Sequence, residues 1–320
     1  WLDSDRISLC KKTRGMKRHL TILLLLIVFQ TGFAQTDTDG LMMAKRNLCG
    51  GFLYGHTSWN QYWEGTFLRK NDNIGTFSSH AVMAMANYGI TDRLNVIAMA
   101  PWISNKVSSG TLIGQSGFQD LSLMLKYQFY SSTIWGLDVS AIGLLGGSMP
   151  LTNYVADYLP LSLGLHSRNA QGRLILDVQN GHWYGTASGQ YIIRSNTKID
   201  RTAYYTTEMI YSNQVALPDV FTYNIRAGWR KDADLILELV YDQMNTLGGF
   251  DMRKNEMPFL SNTMNASRLG FNCKLPIPKT NGLSFMGSAM TTLSGRNMGK
   301  ANMVTAGFVY QAMFHTKESK

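Results

Sequence analysis

Three sets of side chains in this sequence have the types and spacing to do chemistry. In the stretch from Tyr54 to Asn60, His56, Ser58 and Asn60 stand two apart, so on an extended strand they share one face. A serine beside a histidine base, with a third group to orient the base, is the arrangement of nucleophilic hydrolysis. Met83 and Met85 form a second pair on one face; thioethers bind soft metals such as copper, but only when several converge, and two ligands do not make a site. The third set is electrostatic. Lys126, Arg226, Arg230, Arg268 and Lys274, against Asp138, Glu208, Glu238 and Asp242, are mostly single charges set inside apolar runs. Charges at such close quarters either select what passes a pore or lock one another in salt bridges. There is no Gly-rich phosphate loop, no CxxC pair and no clustered His/Asp motif, so no cofactor and no metal are implied.

The elements that must position these residues follow from a period of two. In Leu121 to Phe129 the odd positions are Leu, Leu, Leu, Tyr and Phe, and the even ones Ser, Met, Lys and Gln. Phe221 to Trp229, Leu235 to Tyr241 and Leu269 to Leu275 alternate in the same way, which makes each a strand with one wet face. A soluble sandwich also alternates, so length and polarity decide. Soluble strands run about 5–6 residues and tilted membrane strands about 9–11, and many of these runs reach the longer figure. Trp102, Tyr127, Phe129, Trp135, Trp183, Tyr184, Trp229 and Tyr241 crowd the ends of runs, as in the aromatic girdles of a membrane barrel. Lys126, Asp138, Arg226, Glu238, Arg268 and Lys274 lie on the polar face, where a sandwich core would be dry. A closed barrel reverses that arrangement and satisfies every backbone hydrogen bond in a solvent that offers none. The expected fold is therefore all-β, a transmembrane antiparallel barrel.

Strands are expected near 48–60, 74–90, 94–104, 117–130, 134–147, 160–167, 172–179, 182–194, 202–212, 219–230, 235–247, 263–275, 283–294 and 302–314. This gives fourteen, with twelve as the alternative if 160–179 belongs to a long loop. Met16 to His19 is basic, Leu20 to Phe29 is a short apolar run, and Gly32 and Ala34 are small, the pattern of a cleaved secretory signal. The expected organisation is upstream read-through over 1–15, signal peptide over 16–34, a periplasmic N-terminal segment over 35–47, the barrel over 48–314 and a tail over 315–320. Cys49 and Cys273 fall on strands that are not neighbours, so two free thiols are expected, Cys273 facing lipid. Tyr62 and Trp63, in the first outer loop, are candidates for ligand contact, and Trp59 for an interfacial anchor.

Asn87 to Trp102 resembles the hairpin of the MetA-pathway-of-phenol-degradation family of outer-membrane proteins. Tyr88, Gly89, Ile90, Thr91, Asp92, Arg93, Leu94 and Pro101 match its pattern, and Trp102 stands where tyrosine is common. A weaker similarity runs through Gly114 to Tyr127. The resemblance implies an outer-membrane barrel of a Gram-negative cell that transports small hydrophobic or aromatic compounds. Among the 18 methionines, Met83, Met85, Met99 and Met124 suit such a path as soft contacts. The alternatives are a structural or surface-binding barrel without transport, and an acyl hydrolase. The local His-x-Ser is similar to the His-x-Ser-Asn-Gly of outer-membrane phospholipase A, but Trp59 follows Ser58 where that family has Asn-Gly. No enzyme activity is expected. Lumen and selectivity candidates are Lys126, Asp138, Arg226, Glu238, Asp242 and Arg268. Expected partners are outer-membrane lipid and lipopolysaccharide, the barrel assembly machinery and a small-molecule solute. No Lys/Arg cluster interleaved with aromatics marks a nucleic-acid path, and nothing in the sequence indicates an oligomeric state.

Overall fold

A computed structural model describes residues 36–231, 235–254 and 256–313. Twelve long strands carry the fold: β1 (Asn47–Trp59), β2 (Phe77–Thr91), β3 (Leu94–Val107), β4 (Asp120–Ile134), β5 (Leu137–Pro150), β6 (Asn169–Asn180), β7 (Trp183–Arg194), β8 (Asp219–Lys231), β9 (Leu235–Leu247), β10 (Asn265–Pro276), β11 (Leu283–Arg296) and β12 (Asn302–Met313). Each pairs antiparallel with the next, and β12 returns to β1, with Asn47 opposite Met313 and Ser58 opposite Asn302. The sheet is closed. One short extra strand, Gln115–Phe118, pairs with the far end of β3.

Closure turns the alternation of each strand into an inside and an outside. On β4, Leu123, Leu125, Tyr127 and Phe129 expose 50%, 51%, 50% and 53% of their surface, while Met124 and Lys126 between them are buried. Leu145, Leu174, Leu176, Leu239, Val304 and Phe308 continue the exposed belt round the barrel. A continuous apolar belt of that extent is what hydrocarbon, not water, accepts. Trp135 and Gly136 turn β4 into β5 with φ of 52° and 79°, the two positive values of a type I′ hairpin.

The count is twelve, not fourteen. Residues 160–167 and 202–212 belong to loops. Leu161, Ser162 and Leu163 are buried in succession, which no barrel strand permits, and Tyr204 packs with Ile199, Val215, Leu217 and Leu260 in a satellite core. The run expected at 172–179 lies within β6. With one strand fewer before it, the Gly181 turn falls among the tight connections, at the same end as Thr91–Arg93, instead of among the long ones. The long connections, 60–76, 108–119, 151–168, 195–218 and 248–264, all lie at the other end. These are called the turn end and the loop end below. Cys49 and Cys273 are not joined, and Cys49 faces the lumen.

The chain before β1 does not hang from the turn end but passes into the lumen. Arg46 N–H donates to the Gly89 carbonyl at 2.7 Å, Lys45 N–H to Asp92 Oδ1 at 2.8 Å, and residues 36–44 run inward from there. Gly89 makes the entry possible, because a Cβ at that position would stand 2.1 Å from the Ala44 carbonyl oxygen. Met43 is then fully buried against Cys49, Leu53, Met85 and Val309. Asn95, with its amide oxygen turned to Met43 N–H at 2.7 Å and its nitrogen to the Met43 carbonyl at 3.1 Å, holds the same residue by its backbone. Gly89→Ala is therefore expected to lower barrel stability by about 1–3 kcal/mol through overpacking. Gly50→Ala, whose Cβ would meet Met85 O at an ordinary 3.6 Å, should be near neutral. Urea midpoints of the two variants in detergent check the contrast.

Candidate functional site

The lumen has two unlike walls. Between the rims, β1, β2, β3, β11 and β12 send no charged residue inward; they present side chains such as Leu53, Met83, Met85, Ile97, Met99 and Met286. The opposite arc, β6 to β10, carries Arg173, Asp177, Arg226, Arg230, Glu238, Asp242, Arg268 and Lys274, joined by Lys126 on β4. Register explains the pairing. Arg226 NH1 donates to Glu238 Oε1 at 3.0 Å and its Nε to Asn224 Oδ1 at 2.7 Å; Arg230 meets Asp177 at 2.9 Å, and Arg268 meets Asp242 at 2.8 Å. Tyr184 donates to Glu238 and lies under the Arg230 guanidinium, 4.3 Å from its ring centroid. This arc is hydrogen-bonded side by side, as buried charges must be.

The segment 36–44 bridges the two walls and occupies the turn half of the lumen. Lys126, with no surface exposed, gives its ammonium to three acceptors of that segment: the Thr36 carbonyl at 2.9 Å, the Asp39 carbonyl at 2.8 Å and the Asp39 carboxylate at 2.8 Å. Asp37 faces Arg173 at 3.5 Å, and Arg226 donates to the Thr38 hydroxyl. Gly40 passes so close to Asp177 that a Cβ there would lie 2.3 Å from the carboxyl. Burial by itself raises the Asp39 carboxyl. The Lys126 charge and hydrogen bond, the Thr36 N–H and the Arg226 charge outweigh it and hold the group below the ordinary carboxylate range. Beside the segment a cavity of about 260 Å³ remains, bounded by Leu53, Met83 and Met286 on one side and Arg226, Arg230, Glu238 and Lys274 on the other.

At the loop end a second cavity, of about 190 Å³, is lined by Trp59, Tyr62, Phe77, Met252, Met257 and Met298 among others. Trp59 and Phe77 are register partners and stack at 5.2 Å. The roof depends on Asn297, which is almost wholly buried. Its Oδ1 accepts from Gly65 N at 2.7 Å and Met252 N at 3.2 Å, and its Nδ2 donates to Asp251 Oδ1 and the Thr263 carbonyl, both at 2.8 Å. Asn297 takes a φ of 53°, a conformation asparagine adopts more readily than most residues.

Of the residues singled out in the sequence, Lys126, Arg226, Glu238, Asp242 and Arg268 all stand in the lumen. Asp138 keeps the inward parity of β5 but sits exposed at the turn-end rim, where Thr133 donates to it at 2.7 Å. Tyr62 lines the loop-end cavity; Trp63 is buried beside Gly295 and donates its backbone N–H to the Met298 carbonyl. Trp59, expected as an interfacial anchor, faces the cavity because its strand parity points it inward. His56 packs against His80 with tilted rings, centroids 4.7 Å apart, and His80 Nδ1 meets the Tyr54 hydroxyl at 2.6 Å, on the outer face of β1 and β2. Sequence reasoning did not single out Asp37, Asp39, Met43, Arg173, Asp177 or Asn297. Arg173 and Asp177 were available from the parity of 172–179; the others sit in segments without a period.

Comparison with known structures places this geometry. The COG4313 outer membrane channel from Pseudomonas putida F1 matches with a TM-score of 0.69 at 14% identity, over 87% of this chain and 100% of that one. The chain has the fold of an outer-membrane channel. The translocator domain of the autotransporter NalP from Neisseria meningitidis matches with a TM-score of 0.47 at 9% identity, over 95% of this chain and 97% of that one. The TodX monoaromatic hydrocarbon channel matches with a TM-score of 0.42 at 9% identity, over 85% and 91%. No family model and no curated protein sequence matches, so the resemblance of Asn87 to Trp102 rests on those residues alone.

Two outcomes follow from the latch and the roof. A carboxyl held low in the folded state stabilises it above the unfolded value of about 3.9, and that stability is lost as pH falls through the folded value. The lumen should therefore stay latched at neutral pH and down to the ordinary carboxylate value. Bilayer conductance should rise only below about pH 4, and Asp39→Asn should be leaky throughout. Asn297→Ala leaves the Gly65 and Met252 N–H groups and the Thr263 carbonyl without that partner, while Asp251 keeps Arg296, so a loss of about 1–3 kcal/mol or more is expected. Faster proteolysis within 248–264, with unchanged heat-dependent gel mobility, is the readout.

Proposed function

We propose that this barrel resides in the outer membrane of a Gram-negative cell and takes up small, largely apolar compounds, the turn end facing the periplasm. The observation that carries the reading is the Met-rich aromatic cavity at the loop end, standing above a lumen whose turn half is filled by residues 36–44. Trp59, Tyr62 and Phe77 give broad contact area with few torsions to immobilise, and Met252, Met257 and Met298 adapt to irregular shapes. A water-filled porin needs an open lumen; a carrier of apolar solutes needs a place that such a solute prefers to the charged sugars of the outer leaflet. The exposed belt meets lipid and lipopolysaccharide, and the aromatic-rich β12 is suited to reading by the barrel assembly machinery. The resemblance of Tyr88 to Pro101 to the MetA-pathway family supports the same class of solute.

The filled lumen also favours a second reading, a binding barrel that passes nothing. One preparation separates the two. The full chain, refolded and shown by heat-dependent gel mobility to have closed, should give no discrete conductance steps at neutral pH. It should bind naphthalene by calorimetry, and Trp59→Ala should weaken that binding about tenfold, the scale of a lost aromatic anchor. Large steps without binding would replace the reading with that of a general porin. Binding without delivery into liposomes of any apolar solute, neutral or singly charged, would leave the binding barrel.

A further inference from the structure

The separation of charge in the lumen says more about the solute than the loop-end cavity does. Among the described residues between the rims, the inward-facing wall carries Lys126, Arg173, Arg226, Arg230, Arg268 and Lys274 against only Asp177, Glu238 and Asp242. The excess of cations is met by the segment 36–44, whose Asp37 and Asp39 face Arg173 and Lys126. Even so, Arg173 Nε is buried with no hydrogen-bond partner in the protein. When the segment leaves, those cations stay behind in a site of low dielectric, which is costly for any buried charge without a counter-charge. A neutral hydrocarbon does not replace the lost carboxylates, and a cationic amphiphile worsens the imbalance.

The cavity beside the segment shows what would replace them. One side is Leu53, Met83 and Met286; the other carries Arg226, Arg230 and Lys274 with Glu238, and the segment's own Asp37 and Asp39 complete the lining, across about 260 Å³. A molecule with an apolar body and one anionic end satisfies both sides at once. The geometry points to a singly charged anionic amphiphile, an apolar carboxylate, as the solute of the lumen, seated with its carboxylate on the Lys126, Arg173 and Arg226 arc in competition with Asp37 and Asp39. This inference rests on the carrier reading above and narrows it. The two cannot bind together on Lys126: the ammonium already has three acceptors from the segment, so solute entry and segment displacement are one equilibrium.

The test compares three probes with one apolar body: 4-(1-pyrenyl)butyrate, 4-(1-pyrenyl)butanol and a pyrenylbutyl trimethylammonium. Binding to the full chain in nanodiscs of uncharged lipid is read by fluorescence anisotropy. The carboxylate should bind at least about tenfold more tightly than either of the others, the scale of a charge-assisted hydrogen bond. Its advantage should shrink as salt is raised. Asp37→Asn with Asp39→Asn should tighten the carboxylate alone, since the competing carboxylates are gone. Lys126→Gln and Arg226→Gln should erase the preference in barrels that keep their heat-dependent mobility. Equal binding of all three probes to the wild-type chain would overturn the anionic assignment and leave the carrier reading standing. No binding of any probe would overturn the carrier reading and this inference with it.

Discussion

The structure depends on the pairing of β1 with β12. In hydrocarbon an unpaired backbone N–H or C=O costs several kcal/mol, so a sheet has no tolerable edge and must close. Once Asn47 lies opposite Met313 and Ser58 opposite Asn302, the other features follow in sequence. Apolar side chains that would form the core of a soluble sandwich face outward into lipid. The polar face of every strand is turned into a confined lumen. Twelve strands leave that lumen wide enough that wall side chains alone do not fill it, and the chain supplies a filler from its own N-terminal side.

How the filler is held follows from electrostatics more than from shape. An ion pair in a low-dielectric interior gains little over a well-packed apolar pair, but removing one partner leaves an uncompensated charge and costs about 3–5 kcal/mol. Lys126 finds its three acceptors in the segment 36–44. The latch is therefore specific without being deep: exchange of one acceptor set for another of the same charge costs far less than leaving the ammonium bare. Met43 in its apolar nest and the backbone bonds of Lys45 and Arg46 fix where the segment enters; Asp37 and Asp39 meet Arg173 and Lys126 beyond it.

Much of this was legible in the sequence, and the reason is periodicity. Parity alone sends Lys126, Arg226, Glu238, Asp242 and Arg268 inward, because a strand has only two faces. Parity also sends Asp138 inward, but it carries no information on depth, and Asp138 ends at a wet rim. The strand count went astray at 160–167 and 202–212 because short runs of leucine or tyrosine look the same whether they face lipid or pack a loop core; the burial of Leu161, Ser162 and Leu163 in succession is visible only in three dimensions. Asp37, Asp39 and Asn297 escaped notice for a related reason. They lie in irregular backbone, where function comes from which distant partner arrives, and no local spacing records that.

The hairpin that carries the family resemblance takes on a different meaning once the lumen is seen. Read as a sequence, Tyr88 to Arg93 belongs to a membrane hairpin that turns at Thr91 to Arg93. In the structure two of those residues have a second task. Gly89 lacks the Cβ that would strike the Ala44 carbonyl, and Asp92 accepts the Lys45 N–H, so the turn is also the socket that holds the N-terminal segment. A turn needs a residue with the conformational freedom of glycine at its tip; here Gly89 is inside β2, where its backbone is extended and a turn would not require it. Close approach of the segment is the constraint that explains its identity. The residues most easily taken for a folding signal are thus part of the latch, and the entrance to the lumen is built into the hairpin that closes it.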